Sequence, residues 1–386
     1  MAPVSTERDL RLDLFRGLAL WLIFLDHIPS NAVNWVTIRN YGFSDATEIF
    51  VFISGYTAAF VYGRAMQQHG FIVASARVLK RAWQIYVAHV FLLAIYLAEI
   101  AYVSSSFDNP LYTEEMGVLK FLKNPDVTIL QALLLKFKPV NMDVLPLYIL
   151  LLLWFPPMLW LLLRAPSLAL ITSASVYALM WLFEWNLPAY PSGTWLFNPF
   201  AWQLLFVFGA WCALGGAENL SRWIHSPVMI GLAIGYLVFA FSIAMTWYFP
   251  RLAMYVPKWV GDAMYPIDKT NLDVLRIMHF LALAIITVAF VPRDWPALKS
   301  WVFWPAIVCG QHSLETFCLG VFLSFAGHFV FTEVSNRVVT QIIVSFAGIA
   351  IMVAVAALIS WYRQAERRGG GPRPPAAKPG YAGGEL

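Results

Sequence analysis

Charge is scarce in this sequence. Asp, Glu, Lys and Arg make up 12% of its 386 residues, about half the share usual in a soluble domain. With a net charge of +4, no nucleic-acid partner is expected. Cysteine is scarcer still. Cys212, Cys309 and Cys318 all lie in apolar runs. They have no zinc-ligand spacing and no disulfide pattern, so they are expected to be small packing residues, and no metal site is expected. The chain also lacks an internal repeat. Its first apolar stretch lacks a small-x-small cleavage pattern and is too long and too polar at its far end for a removable signal, so it is expected to stay in the protein.

What fills the space is hydrophobic. Apolar residues reach 60%, with 17 Trp, 16 Tyr and 29 Phe, an aromatic load that suits the two interfacial belts of a membrane protein. Stretches of about 20 apolar residues span a bilayer. The expected fold is an all-α polytopic membrane protein. About ten spans are expected, near 14–34, 46–63, 80–103, 143–163, 168–186, 198–216, 226–249, 271–291, 301–325 and 338–362. Residues 127–137 are too short to span and suggest an interfacial helix within the connection 104–142. The transmembrane domain is expected to cover 1–363. The Gly-, Pro- and Arg-rich stretch 364–386 is expected to be a disordered tail. Lys and Arg fall mostly on the side of the N-terminus, which predicts both termini in the cytoplasm.

Against this background the polar residues inside the spans stand out. The stretch "LDLFRGLALWLIFLDHIPSNAV" carries Arg16 near its start and Asp26-His27 eleven residues on. That is about 16 Å of helical rise and just over three turns, so Arg16 and His27 share a face. Span 2 adds Glu48 and Ser54, span 4 starts at Asp143, and span 6 brings Asn198 and Gln203. Span 8 is expected to carry Lys269, Asp273 and Arg276 as one stripe, followed by His279. Span 9 carries His312 and Glu315, one turn apart and candidate partners. Ionisable groups at membrane depth usually face a bundle interior or a water-filled cavity. One central polar cavity open to the outside is therefore expected. A second, basic group of Arg16, Arg64, Arg77, Lys80 and Arg81 on the cytoplasmic side suits a phosphate-bearing ligand, though it equally satisfies the positive-inside rule. Ser54-Gly55 is expected to serve close helix packing. His69 and His225 are expected in loops, with His89 and His328 structural.

Several motifs resemble a known family. "RGLALWLIFLDH" is similar to the R-x10-H signature of the membrane-bound acyltransferase-3 superfamily, and "EIFVFISGYTAAFVYGR" to its F-x-x-SG segment. Together with "NMDVLPLYILLLL", "NPFAWQLLF", "LRIMHFLAL" and "GQHSLETFC", they resemble the OpgC family from about residue 8 to residue 362.

The resemblance implies O-acylation, typically succinylation, of a periplasmic glucan in the bacterial inner membrane. Cytoplasmic acyl-CoA would be the co-substrate, with no bound cofactor. The implied partners are acyl-CoA, the glucan and the lipid bilayer. His27 is the candidate general base, oriented by Asp26 or Glu48. Arg16 and Arg64 are candidates for the CoA phosphates. Arg276, Gln203 or His312 are candidates to stabilise the oxyanion, and Asp143 and His279 to bind substrate. The alternative is a transporter or flippase for a glucan or acylated lipid, which would also have a polar cavity at mid-membrane, but the lack of an internal repeat counts against it.

Overall fold

The computed structural model describes residues 9–107 and 111–369. Among them the chain is helical, with only an isolated bridge between Pro188 and Thr194. The principal helices are α1 (Leu10–His27), α2 (Ala46–Phe107), α3 (Val144–Arg164), α4 (Pro166–Phe183) and α5 (Pro199–Trp211). They continue with α6 (Pro227–Tyr248), α7 (Val274–Phe290), α8 (Trp304–Gln311), α9 (Ser313–Phe329) and α10 (Val338–Gly369). Their starts follow from local chemistry. Asp9, Asn198, Ser226 and Asp273 each cap a helix by accepting a backbone N–H. Pro166, Pro199 and Pro227 occupy first-turn positions where no backbone donor is needed.

Among the described residues seven helical segments are long and apolar enough to cross a membrane: Ala46–Phe107, Val144–Arg164, Pro166–Phe183, Pro199–Ile224, Pro227–Tyr248, Ser313–Val334 and Val338–Glu366. Val274–Phe290 is shorter but apolar. Many of their Trp, Phe, Leu and Ile side chains are exposed, as a lipid-facing surface requires. The chain is a membrane protein.

Several boundaries differ from the sequence expectation. Residues 64–79, expected as a connection, are helical apart from Gly70, whose φ of 80° breaks α2. His69 thus lies in a helix rather than a loop. In a straight helix Ala58 and Arg81 would lie about 35 Å apart. Both line one cavity of 190 Å3, so the chain doubles back at Gly70, where glycine alone accepts that φ readily. Helix α1 ends at His27, short of the expected residue 34, because Pro29 and the left-handed Ser30 follow. Lys269 precedes α7, and Asp273 is its N-cap, so the expected helical stripe does not form. Span 9 is broken at His312. Helix α10 runs to Gly369, beyond the expected start of the tail, and residues 370–386 lie outside the described residues. A short helix at Pro125–Leu133 occupies the connection where one was expected.

Two glycine-lined helix crossings set the bundle. A Cβ on Gly17 of α1 would sit 1.8 Å from the Ala306 carbonyl oxygen of α8, and one on Gly310 1.9 Å from that of Asp13. A Cβ on Gly55 of α2 would meet the Phe206 carbonyl oxygen of α5 at 1.9 Å, and one on Gly209 that of Phe52 at 2.1 Å. Small residues at helix crossings let backbones touch in the membrane, where no hydrophobic drive presses helices together. These contacts fix the rotation of α1 and α2, and with it which of their polar side chains face each other.

Candidate active site

Two cavities lie along α1. The larger, 640 Å3, is walled by the end of α1 (Asp26, His27), the loop 39–45, the start of α2, Asn141 and Asp143 before α3, Trp247 of α6, and Lys269 and Arg276 around the start of α7. The smaller, 190 Å3, holds Arg16, Arg81, Ser54, Thr57, Ser313 and the rings of Tyr62 and Tyr148. Arg16 and His27 therefore mark one cavity each, about 16 Å apart along the same helix.

The larger cavity is organised by the start of α2. Asp45 Oδ1 accepts from the Thr47 N–H at 2.8 Å, and Glu48 Oε2 accepts from the Asp45 N–H at 3.0 Å. This reciprocal pair is a capping box. The other oxygens of both carboxylates turn to cations. Arg276 Nε donates to Glu48 Oε1 at 2.8 Å, Arg276 Nη2 to Asp45 Oδ2 at 3.2 Å, and Lys269 Nζ to Asp45 Oδ2 at 2.6 Å. Glu48 is fully buried and Arg276 nearly so. Two anions and two cations thus tie α2 to α7 and to the segment before it. Burial alone would raise the Asp45 carboxyl, but Lys269 and Arg276 outweigh it and hold it well below the usual carboxylate range.

His27 is the last residue of α1. Its Nδ1 is buried without a hydrogen-bond partner among the described residues. Its carbonyl accepts from Asn141 Nδ2 at 3.1 Å. Neither carboxylate expected to orient the ring does so. Asp26 accepts from Thr37 Oγ1 at 2.8 Å and lies 3.7 Å from Arg39, while Glu48 is committed to Arg276 and the Asp45 amide.

Other expected residues fall in different places. Asp143 lines the larger cavity, 3.9 Å from Lys138. The Lys138 ammonium sits 3.9 Å from the centre of the Trp195 ring. Burial lowers its pKa to about 8, with Asp143 opposing. His279 lines neither cavity. Its Nδ1 accepts from the Ser44 N–H at 3.3 Å and lies 2.7 Å from Ser44 Oγ, anchoring the loop that carries Asp45. Gln203 also lies away from both cavities. It accepts from Ser173 Oγ at 2.6 Å and donates to the Ser173 carbonyl at 2.8 Å, joining α4 to α5. A polar group in apolar surroundings must be bonded somewhere, and a neighbouring helix offers the nearest partner. His312 is buried at the break between α8 and α9, outside both linings. Glu315 pairs with Arg363 at 2.9 Å.

Of the expected basic group, the structure brings Arg16 and Arg81 together. Arg16 Nη2 donates to the Ile53 carbonyl at 3.0 Å and also bonds Thr57 Oγ1. Arg64 instead stacks on Phe60, 4.1 Å from its ring centre, and Arg77 and Lys80 are exposed. Gly55 packs as expected, while its neighbour Ser54 faces the smaller cavity.

Asp45, Arg39 and Asn141 line the larger cavity without being expected there from the sequence. Asp45 had a signal, since an Asp three residues before a Glu at the head of an apolar run is a capping pattern. Asn141 sits at a φ of 72°, which short sequence patterns do not reveal.

Comparison with curated proteins and with solved structures finds no match. The model of the family described as "OpgC protein" matches residues 8–364, nearly the whole chain and both cavities, and the protein belongs to the OpgC family.

Proposed function

We propose that the protein is a transmembrane O-acyltransferase moving a succinyl group from cytoplasmic succinyl-CoA to hydroxyls of a periplasmic glucan. Membership of the OpgC family implies a transferase with a glucan succinyltransferase-like function. The donor, the direction and the residue roles are the proposal. The observation that carries it is the placement of two unlike cavities along one helix, with Arg16 at the first and His27 at the second.

In this mechanism Arg16 and Arg81 hold the CoA phosphates, helped by the hydroxyls of Ser54, Thr57 and Ser313. The pantetheine arm extends along α1, and the thioester reaches His27. The glucan enters the larger cavity, where Trp247 and Tyr265 offer ring faces to a sugar. His27 takes the proton of an acceptor hydroxyl as its oxygen attacks the thioester carbonyl. The C–O bond forms, the tetrahedral centre collapses and the C–S bond breaks. The imidazolium then returns the proton to the departing thiolate, so the products are the succinyl ester and CoA thiol. Lys269, partly exposed at the cavity, stabilises the oxyanion. Arg39, only loosely paired with Asp26, takes the free carboxylate of the succinyl group. Arg276 is left to hold Glu48 and Asp45 in place.

The corresponding topology has ten spans in the bacterial inner membrane. Helix α2 makes two passes around Gly70, α8 and α9 together make one, and both termini are cytoplasmic. The test uses liposomes with succinyl-CoA inside and a glucan outside, with mass spectrometry of the glucan. Wild type is expected to acylate it and His27→Ala to be inactive. Full activity in His27→Ala, or none in wild type, would remove the proposal.

A further inference from the structure

The two cavities share no lining residue. A void of 10 Å3 borders residues of both, about the room of one water molecule. It is bounded by Phe50, Val51 and Ser54 of α2, by Val144 and Tyr148 of α3, and by Phe206 of α5. Phe50, Ser54 and Tyr148 also wall the smaller cavity, and Val144 also walls the larger. These side chains form the septum between the two linings. Thr47 faces the larger cavity, and Phe50, one turn on, faces the smaller. The Phe50 ring packs against Phe317 with centroids 6.2 Å apart.

We propose that Phe50 is the gate between the two cavities and sets the size of acyl group that passes. The inference rests on the acyl-transfer reading, because a group must cross this septum only if donor and acceptor meet across it. Three features mark Phe50. With Tyr148 it supplies one of the two rings that border both the smaller cavity and the void. It has a direct aromatic partner, Phe317, which borders the smaller cavity but not the void. It also follows the helix start whose cluster of Asp45, Glu48 and Arg276 fixes the backbone of this turn.

The experiment has two arms. The first reads the barrier without any acyl transfer. Ser54→Cys is placed in a background with Cys212, Cys309 and Cys318 replaced by Ala, and a charged, impermeant methanethiosulfonate reagent is applied from the face of the larger cavity. With Phe50 present, labelling is expected to be slow. Phe50→Ala is expected to speed it about tenfold or more. Phe50→Leu serves as the better-folded variant, with a smaller rise. Equal rates in all three overturn the gate.

The second arm compares transfer of octanoyl and succinyl groups from their CoA thioesters. Phe50→Ala is expected to raise the octanoyl-to-succinyl ratio about tenfold, within the range that pocket size alone gives, and Phe50→Trp to lower it. A loss of fold or overall activity does not move this ratio. If transfer occurs and the ratio is constant, selection by Phe50 is overturned while the transferase reading stands. If labelling opens but wild type transfers no acyl group, the transferase reading fails and acyl selection fails with it.

Discussion

The two cavities differ in how their charges are met. In the larger, Asp45 and Glu48 are held by Lys269 and Arg276, Asp26 faces Arg39, and Asp143 faces Lys138. In the smaller, Arg16 and Arg81 share the wall with hydroxyls and rings, and no carboxylate lines it among the described residues. A wall whose charges already match one another suits a neutral, hydroxyl-rich guest. A wall with cations and no lining carboxylate suits an anion. One helix, α1, contributes to both, so the chemistry of the donor end and of the acceptor end is written on a single rigid element.

The most damaging way to break this comparison is to unbalance the larger cavity. Arg276→Met leaves Glu48 fully buried beside Asp45 with only Lys269 nearby. Removing one partner of a buried pair costs about 3–5 kcal/mol. Thermal unfolding in detergent is expected to show that loss, with a partial recovery in the double variant Glu48→Gln with Arg276→Gln. A mild single variant would mean that the cluster is wet and that the charge match is incidental.

This cluster also marks the limit of what the sequence makes legible. The placement of Arg16 and His27 on α1 follows from helical spacing within one segment, and the structure puts each at a cavity. The membrane class and the approximate positions of the apolar helices follow from composition. The Glu48–Arg276 contact joins residues 228 positions apart, on helices that only the assembled bundle brings together. No local pattern encodes that. The same reason explains Gln203 and His279. Both are polar residues in apolar runs, which marks them as needing partners without saying whether a substrate or a neighbouring helix supplies them. Asn141 was missed because its bond to the His27 carbonyl comes from a connection that carries no motif.

The second prediction sharpens the contrast by function. Arg16→Ala is expected to raise the KM for acyl-CoA roughly tenfold to a hundredfold, as loss of a bond to a charged group worth about 1.5–3 kcal/mol implies. The KM for the glucan should hardly move. Arg81→Ala should act in the same direction and more weakly, because Arg81 is the more exposed of the two. An equal effect on both substrates would mean that the smaller cavity serves the fold rather than the donor.

The third runs the contrast from the other side. Trp247→Ala removes an aromatic face from the larger cavity. A ring contact of about 0.5–1.5 kcal/mol corresponds to a rise of roughly threefold to tenfold in the glucan KM. Acyl-CoA binding, measured by titration, should be unchanged.

The smallest effect is expected at Lys138, 3.9 Å from Asp143, which lines the larger cavity. Its ammonium is nearly buried, and burial lowers its pKa from 10.5 to about 8. Between these two values the unfolded chain holds more protons than the folded one, so stability rises with pH across that window. Lys138→Met removes the titration. The thermal midpoint of wild type relative to the variant should therefore climb between pH 8 and pH 10, by about 2–4 °C, and stay level below pH 7. The sign separates two pictures of the Asp143 contact. If the ion pair stabilised the fold more than burial opposes it, wild type would lose ground as Lys138 deprotonates. A rise with pH means that the ammonium is held in the fold against its own solvation, with Asp143 and the Trp195 ring offsetting only part of that loss.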